Sequence, residues 1–179
     1  YGLYLFLDGA RLGYGLAAPD NDLTLPDIAA LCDVFYIGGT KVGALFGEAV
    51  VIKNPELAQD FRYLIKQNGG MLAKGRLLGL QFDALFTDGL YQEISAHAIA
   101  MAEKLREAFT AKGYNYLAPN RTNQIFVIVP DAHLAKISEQ FEYSYDQRID
   151  ATHSCVRFCT GWATKEENVD ALIRCVEKL

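Results

Sequence analysis

Two polar residues stand at the ends of apolar runs: Asp8 closes Leu3-Tyr4-Leu5-Phe6-Leu7, and Lys41 follows Val34-Phe35-Tyr36-Ile37 across Gly38-Gly39-Thr40. A short continuous apolar run bounded by turn residues reads as a strand buried in a parallel sheet. Open α/β sheets bind ligands at the carboxyl ends of such strands, so the carboxylate and the amine are expected on one edge of one sheet. There the amine is a nucleophile toward carbonyl carbon, and the acid is a partner for a protonated ring nitrogen. A free lysine titrates near about 10.4, so it must be desolvated or set beside a cation to react at neutral pH. Phe35-Tyr36-Ile37 and Ala44-Leu45-Phe46 flank Lys41 and are expected to bury it. Glycines on both sides of Lys41 let backbone approach a flat ligand closely. The plainer alternative is a strand-to-turn break at Gly38-Gly39, with Lys41 on the surface.

Those two roles are the ones pyridoxal 5'-phosphate requires: a lysine that forms the Schiff base and an acid that keeps the pyridine nitrogen protonated as an electron sink. The elements around them follow an α/β order. Thr24 caps a short helix with Pro26 near its start and Leu25, Ile28, Ala29 and Leu31 on one face. A further strand is expected over residues 49–52. From Pro55 to about Lys112 the period is helical, interrupted at Asn68-Gly69-Gly70 and closed by Gly113, with the last helix over 94–109. The last third changes style, with short strands at 114–117, 124–129, 143–145 and 156–159 and helices at 132–141 and 165–179. Residues 1–113 are therefore read as part of a large α/β domain with a mostly parallel sheet and connecting helices, and 114–179 as a small α+β domain.

Composition narrows the function classes. The chain has 179 residues with 17 basic and 22 acidic side chains, a net charge of −5, and no basic run, which argues against a nucleic-acid partner. No apolar stretch reaches the ~18 residues of a membrane span. At this length a fold buries roughly 70% of the surface its unfolded chain exposes, enough for a core without disulfides or metals. Cys32, Cys155, Cys159 and Cys175 lack paired spacing and read as reduced thiols of a cytoplasmic protein. They form no metal set with His97, His133 and His153. Cys159 and Trp162 read as core of the small domain, and His153 as a solvated loop histidine. Tyr1 is not a methionine and already lies in a strand-like run, so the sequence is expected to be a fragment of a longer protein.

Asp8-Gly9-Ala10-Arg11, followed by Gly39-Thr40-Lys41 at the end of an apolar strand, resembles the threonine aldolase and β-eliminating lyase family of fold-type I pyridoxal phosphate enzymes. The resemblance covers nearly the whole chain, including Gly47-Glu48-Ala49-Val50-Val51-Ile52, Gly69-Gly70-Met71 and Val156-Arg157-Phe158-Cys159-Thr160-Gly161-Trp162. It implies Lys41 as the Schiff-base lysine, Asp8 as the partner of the pyridine nitrogen, Ala10 against the ring and Thr40 as a donor to the cofactor phosphate. It also implies that Arg11 reaches the substrate carboxylate or the phosphate, and that Arg157 clamps that carboxylate. For Arg157 the residues alone also allow an edge-strand arginine paired with an acid such as Asp150. Two positions depart from the pattern: Leu72 stands where many members carry arginine, and Val42 where relatives often have asparagine.

The family's phosphate-cradling loop, ring-stacking side chain and substrate-facing histidine belong to an N-terminal half not found in these residues. The resemblance thus implies the C-terminal half of a lyase that cleaves a β-hydroxy-α-amino acid to glycine and an aldehyde, inactive as an isolated fragment. It further implies a small amino-acid substrate and a homodimer or homotetramer. The alternatives are β-elimination from an aromatic or other amino acid, or a catalytically incomplete remnant that keeps the fold.

Overall fold

In the computed structural model, which describes residues 1–179, the two apolar runs lie side by side as parallel strands. β1 is Phe6–Leu7 and β2 is Val34–Gly38, in register Phe6 on Val34 and Leu7 on Phe35. β1 is shorter than its apolar run. No strand pairs with its outer edge, and the Leu5 N–H donates instead to the Asp33 carboxylate at 2.8 Å. Between the strands lie α1, Leu12–Leu16, and α2, Leu25–Leu31.

Thr24 starts α2 as its sequence demands. Its hydroxyl accepts from the Asp27 N–H at 3.4 Å, while Asp27 Oδ2 accepts from the Thr24 N–H at 2.8 Å, a reciprocal box that satisfies otherwise orphaned donors. Thr24→Ala is expected to cost about 1 kcal/mol, read as a lower midpoint in thermal or denaturant unfolding. No change would mean that the box contributes nothing.

β3, Glu48–Ile52, pairs with β2 in the antiparallel sense, from Val34 on Ile52 to Gly38 on Glu48. The sheet in order β1-β2-β3 therefore has one parallel and one antiparallel pair. The connection between β2 and β3 is the short loop 39–47, whereas a parallel return takes a crossover of roughly a dozen residues or more.

Helices follow: α3, Pro55–Ala58; α4, Phe61–Gln67; α5, Arg76–Phe86; and α6, Leu90–Ala111. The break between α3 and α4 is at Asp60, whose φ of 55° is left-handed. α6 runs longer at both ends than its apolar period suggested, and the Tyr114 N–H bonds the Phe109 carbonyl at 3.1 Å past Gly113. No helix is long and apolar enough to cross a membrane.

The chain divides into two units: Tyr1–Leu16 with Asn21–Ile94, and Ala17–Asp20 with Ser95–Leu179. The first buries Tyr14, Ile28, Phe35, Ile37, Val42, Leu85 and Tyr91, yet leaves Leu45, Tyr63, Leu72, Leu77 and Leu80 exposed. The second has a four-stranded antiparallel sheet in order β4-β5-β7-β6, made of Asn115–Tyr116, Gln124–Pro130, His153–Cys159 and Ser144–Arg148 respectively. Its helices are α7, Asp131–Ile137, and α8, Glu166–Glu177. Ile125, Val127 and Val129 alternate inward along β5 and meet Leu105, Phe109, Ile137, Val156, Leu172 and Val176 in one core.

Candidate active site

Asp8 leaves the end of β1 and Thr40-Lys41 leave the end of β2, so the parallel register sets both at one carboxyl edge of the first unit's sheet. The two strand ends are tied directly: the Gly38 N–H donates to the Gly9 carbonyl at 2.9 Å. A Cβ at Gly9 would lie 1.7 Å from the Tyr36 carbonyl oxygen, and one at Gly38 would lie 2.4 Å from that of Ala10. Only glycine permits this approach. Gly9→Ala is accordingly expected to force β1 and β2 apart and cost about 1–3 kcal/mol, the range for overpacking. An unaltered melting midpoint in that variant would contradict the close approach.

Lys41 sits in a turn closed by the Val42 and Ala44 N–H groups on the Gly39 carbonyl, at 2.9 and 3.0 Å. Its backbone is held from several directions. The Tyr14 hydroxyl donates to the Lys41 carbonyl at 2.5 Å, the Tyr91 hydroxyl to the Gly38 carbonyl at 2.9 Å, and Glu48 Oε2 accepts from the Gly39 N–H at 2.6 Å. The Gln81 amide oxygen accepts from the Leu45 N–H at 2.7 Å and fixes the far side of the turn. Burial pushes the Tyr91 phenol up to about 12, so it stays a donor.

Asp8 is exposed, and Oδ1 accepts both the Tyr36 hydroxyl and the Ala10 N–H, the latter at 3.1 Å. The Tyr36 bond, the Ala10 bond and the nearby positive charges of Lys41 and Arg11 hold this carboxyl below its ordinary value. The site thus pairs a persistent carboxylate with a lysine and an arginine. Ala10 and Arg11 are half-buried beside it, and the exposed Thr40 hydroxyl makes a long 3.4 Å bond to the Gly47 carbonyl.

No family model matches the chain. It is 31% identical over 175 residues to the low specificity L-threonine aldolase of a Pseudomonas species, across 96% of this chain and 49% of that protein. It superimposes on the solved threonine aldolase of Leishmania major with a TM-score of 0.97 and 43% identity, covering 99% of this chain and 52% of that one. The chain corresponds to the C-terminal half of the threonine aldolases. It spans about half the length of the relatives it matches. Its likeness to Sphingomonas wittichii serine palmitoyltransferase, at 16% identity and a TM-score of 0.68, concerns the fold alone. That fold is the C-terminal part of a fold-type I pyridoxal phosphate enzyme.

Several sequence-based expectations change in the structure. The apolar shelter for Lys41 is not formed by its flanks: Lys41 is exposed, and so are Leu45 and Phe46 at 85% and 42%. The turn directs Val42 and Ala44 inward instead, and Tyr36 is engaged by Asp8.

In the second unit, Arg157 lies on β7, an interior strand between β5 and β6, so it is not an edge-strand residue. It does not pair with Asp150. Nη2 reaches Ser144 Oγ at 3.4 Å, Cζ lies 6.0 Å from the Phe126 ring centre, and Nε is buried without a hydrogen-bond partner. Around it lies a hollow of about 400 Å³ lined also by Tyr143, Ser144, Cys159, Thr164 and Asn168.

Asp150 binds His153 Nδ1 at 3.1 Å, so that histidine, at the start of β7, has a definite partner. Backbone and side-chain donors from Thr152 and His153 lower the Asp150 carboxyl to about 2. Cys159 and Trp162 are exposed rather than core: Cys159 is the last residue of β7, and Trp162 lies beyond the strand.

Sequence reasoning missed Tyr36 as a polar contact, along with Glu48, Tyr14, Tyr91 and Gln81. Only Tyr36 carried a signal: Phe35 and Ile37 alternate inward, leaving Tyr36 on the opposite face of β2.

Proposed function

We propose that this chain is the lysine- and aspartate-bearing half of a pyridoxal 5'-phosphate-dependent carbon–carbon lyase that cleaves a β-hydroxy-α-amino acid to glycine and an aldehyde. The observation that carries the reading is the shared strand edge of Asp8 and Lys41, in a chain 43% identical to the Leishmania major threonine aldolase. The donor set fits the cofactor. A ring nitrogen that must stay protonated needs an anionic partner, and Asp8 is held anionic with Oδ2 accepting no hydrogen bond from the chain. When bound, the cofactor takes up the electron pair of a bond broken at the substrate's α-carbon.

The chain's own residues do the rest. The Lys41 amine is the covalent anchor, on a turn whose backbone is clamped while its side chain is free. Asp8 holds the ring-nitrogen proton, and Ala10 is assigned to the ring face. The long bond from Thr40 to Gly47 is cheaply exchanged for one to the cofactor phosphate. Arg11 and Arg157 are assigned to the substrate carboxylate, where a planar guanidinium meets two oxygens at once and selects which α-carbon bond is aligned for cleavage. The buried, unpartnered Nε of Arg157 supports that assignment, because a charged donor without an acceptor is costly until a ligand supplies one.

Residues 1–113 are read as the cofactor-binding part and 114–179 as the small domain that carries Arg157. The protein is read as cytoplasmic and as a homodimer or homotetramer. The exposed Leu45, Tyr63, Leu72, Leu77 and Leu80 support association, as apolar side chains that an interface would cover. Residues 1–179 alone are expected to be catalytically incomplete, with the remaining cofactor contacts supplied by the N-terminal half.

The test uses protein expressed from its own full reading frame. With pyridoxal 5'-phosphate it is expected to show a visible absorption band that borohydride abolishes, with the adduct on Lys41, and to release acetaldehyde and glycine from threonine. Absence of the band overturns the reading. A band without threonine cleavage, but with elimination from an aromatic amino acid, transfers it to β-elimination.

A further inference from the structure

We infer that Tyr36 is a positioning residue for Asp8, pinning one carboxylate oxygen so that the other is presented to the ring nitrogen of the bound cofactor. The inference rests on the cofactor reading above.

Asp8 is exposed at the end of a two-residue strand, so packing does not fix its side chain. Two donors do. The Ala10 N–H reaches Oδ1 at 3.1 Å, a local contact, and the Tyr36 hydroxyl reaches the same oxygen from the neighbouring strand. The parallel register dictates this meeting: Leu7 pairs with Phe35, so the next positions along the two chains are Asp8 and Tyr36. The Tyr36 ring is itself braced, with the Phe6 ring centre 6.1 Å away at a tilt of 41°. With both donors converging on Oδ1, the carboxylate plane is set and Oδ2 carries no hydrogen bond.

The charges around the pair favour the same state. Lys41 and Arg11 face Asp8 and favour its anion, while the charges of Asp8 and Glu48 oppose ionisation of Tyr36. The Asp8 bond foremost, with burial and those charges, pushes the Tyr36 phenol up to about 12, so it remains a donor throughout the physiological range. Tyr36 therefore moves no proton in the reaction. It acts through Asp8.

The experiment compares Tyr36→Phe, Asp8→Asn and the double variant with the parent, all from the full reading frame. Tyr36→Phe retains the ring and its contact with Phe6. In the cofactor-free protein, carbon-detected NMR of the Asp8 carboxyl is expected to show its titration moving upward in Tyr36→Phe. With pyridoxal 5'-phosphate, the same variant is expected to bind roughly tenfold or more weakly, the worth of one hydrogen bond to a charged group. In the Asp8→Asn background, Tyr36→Phe is expected to cause no further loss, because a residue acting through another has no effect once that one is removed.

An unmoved Asp8 titration overturns the inference. So does an equal affinity loss with and without Asp8, which marks Tyr36 as merely structural. If the parent protein shows no visible band, the cofactor reading itself fails and the positioning role falls with it. A parent that binds the cofactor while Tyr36→Phe binds equally well refutes the inference alone.

Discussion

Lys41→Ala is expected to eliminate the borohydride-fixed adduct and to bring aldehyde release from threonine down to near background, because the covalent anchor is lost. The structure separates this chemical loss from any loss of fold. Lys41 is exposed, and its ammonium makes no hydrogen bond or ion pair. The turn around it is held by backbone groups, through Tyr14 on its own carbonyl and Glu48 on the Gly39 N–H. Truncating the side chain therefore leaves every clamp in place, and stability should change by no more than about 0.5 kcal/mol. Mass spectrometry of the reduced protein and a melting curve read the two effects independently. An adduct that persists on another lysine would sink the assignment, and a large drop in melting midpoint would mean that the turn depends on the side chain after all.

Phe109→Ala is expected to produce the largest loss of stability, about 3–5 kcal/mol, as for other fully buried aromatics. Phe109 is fully buried on α6, with the rings of Phe158 and Tyr114 at 5.4 and 5.8 Å between centres. Phe158 occupies β7 next to Arg157, so the cavity would loosen the strand that carries the second arginine. The single tryptophan, Trp162, belongs to the same unit, and its fluorescence reports that unit's unfolding. Glu107→Ala is the control: Glu107 is exposed on the same helix, and its loss should stay within about 0.5 kcal/mol. If both variants unfold at the parent's midpoint, the core described around Phe109 is not the one that holds the unit together.

The two variants probe different kinds of residue. Lys41 is assigned to the chemistry and carries little structure; Phe109 is assigned to the core alone. Gly9 and Gly38 belong to both classes: they are small because the strands touch, and the strands touch where Asp8 and Lys41 emerge.

By itself the sequence determined the elements whose signals are local. Thr24 and Asp27 announced a capped helix because both partners lie within one turn of chain, and β2 was readable because five consecutive residues form it. Asp8 and Lys41 were legible as an edge pair because each lies just beyond the end of a strand, and two parallel strands end on the same side. The tertiary structure alone decided what depends on contacts between distant residues. It reversed β3 against β2, paired His153 with Asp150, exposed Cys159 and Trp162, and left Lys41 without its expected apolar shelter. It also brought Tyr36 onto Asp8 and Glu48 onto the Gly39 N–H. Each of these turns on register and side-chain direction. A shift of one residue along a strand sends every side chain to the opposite face, so those contacts are set by how strands pair and not by the composition of either strand.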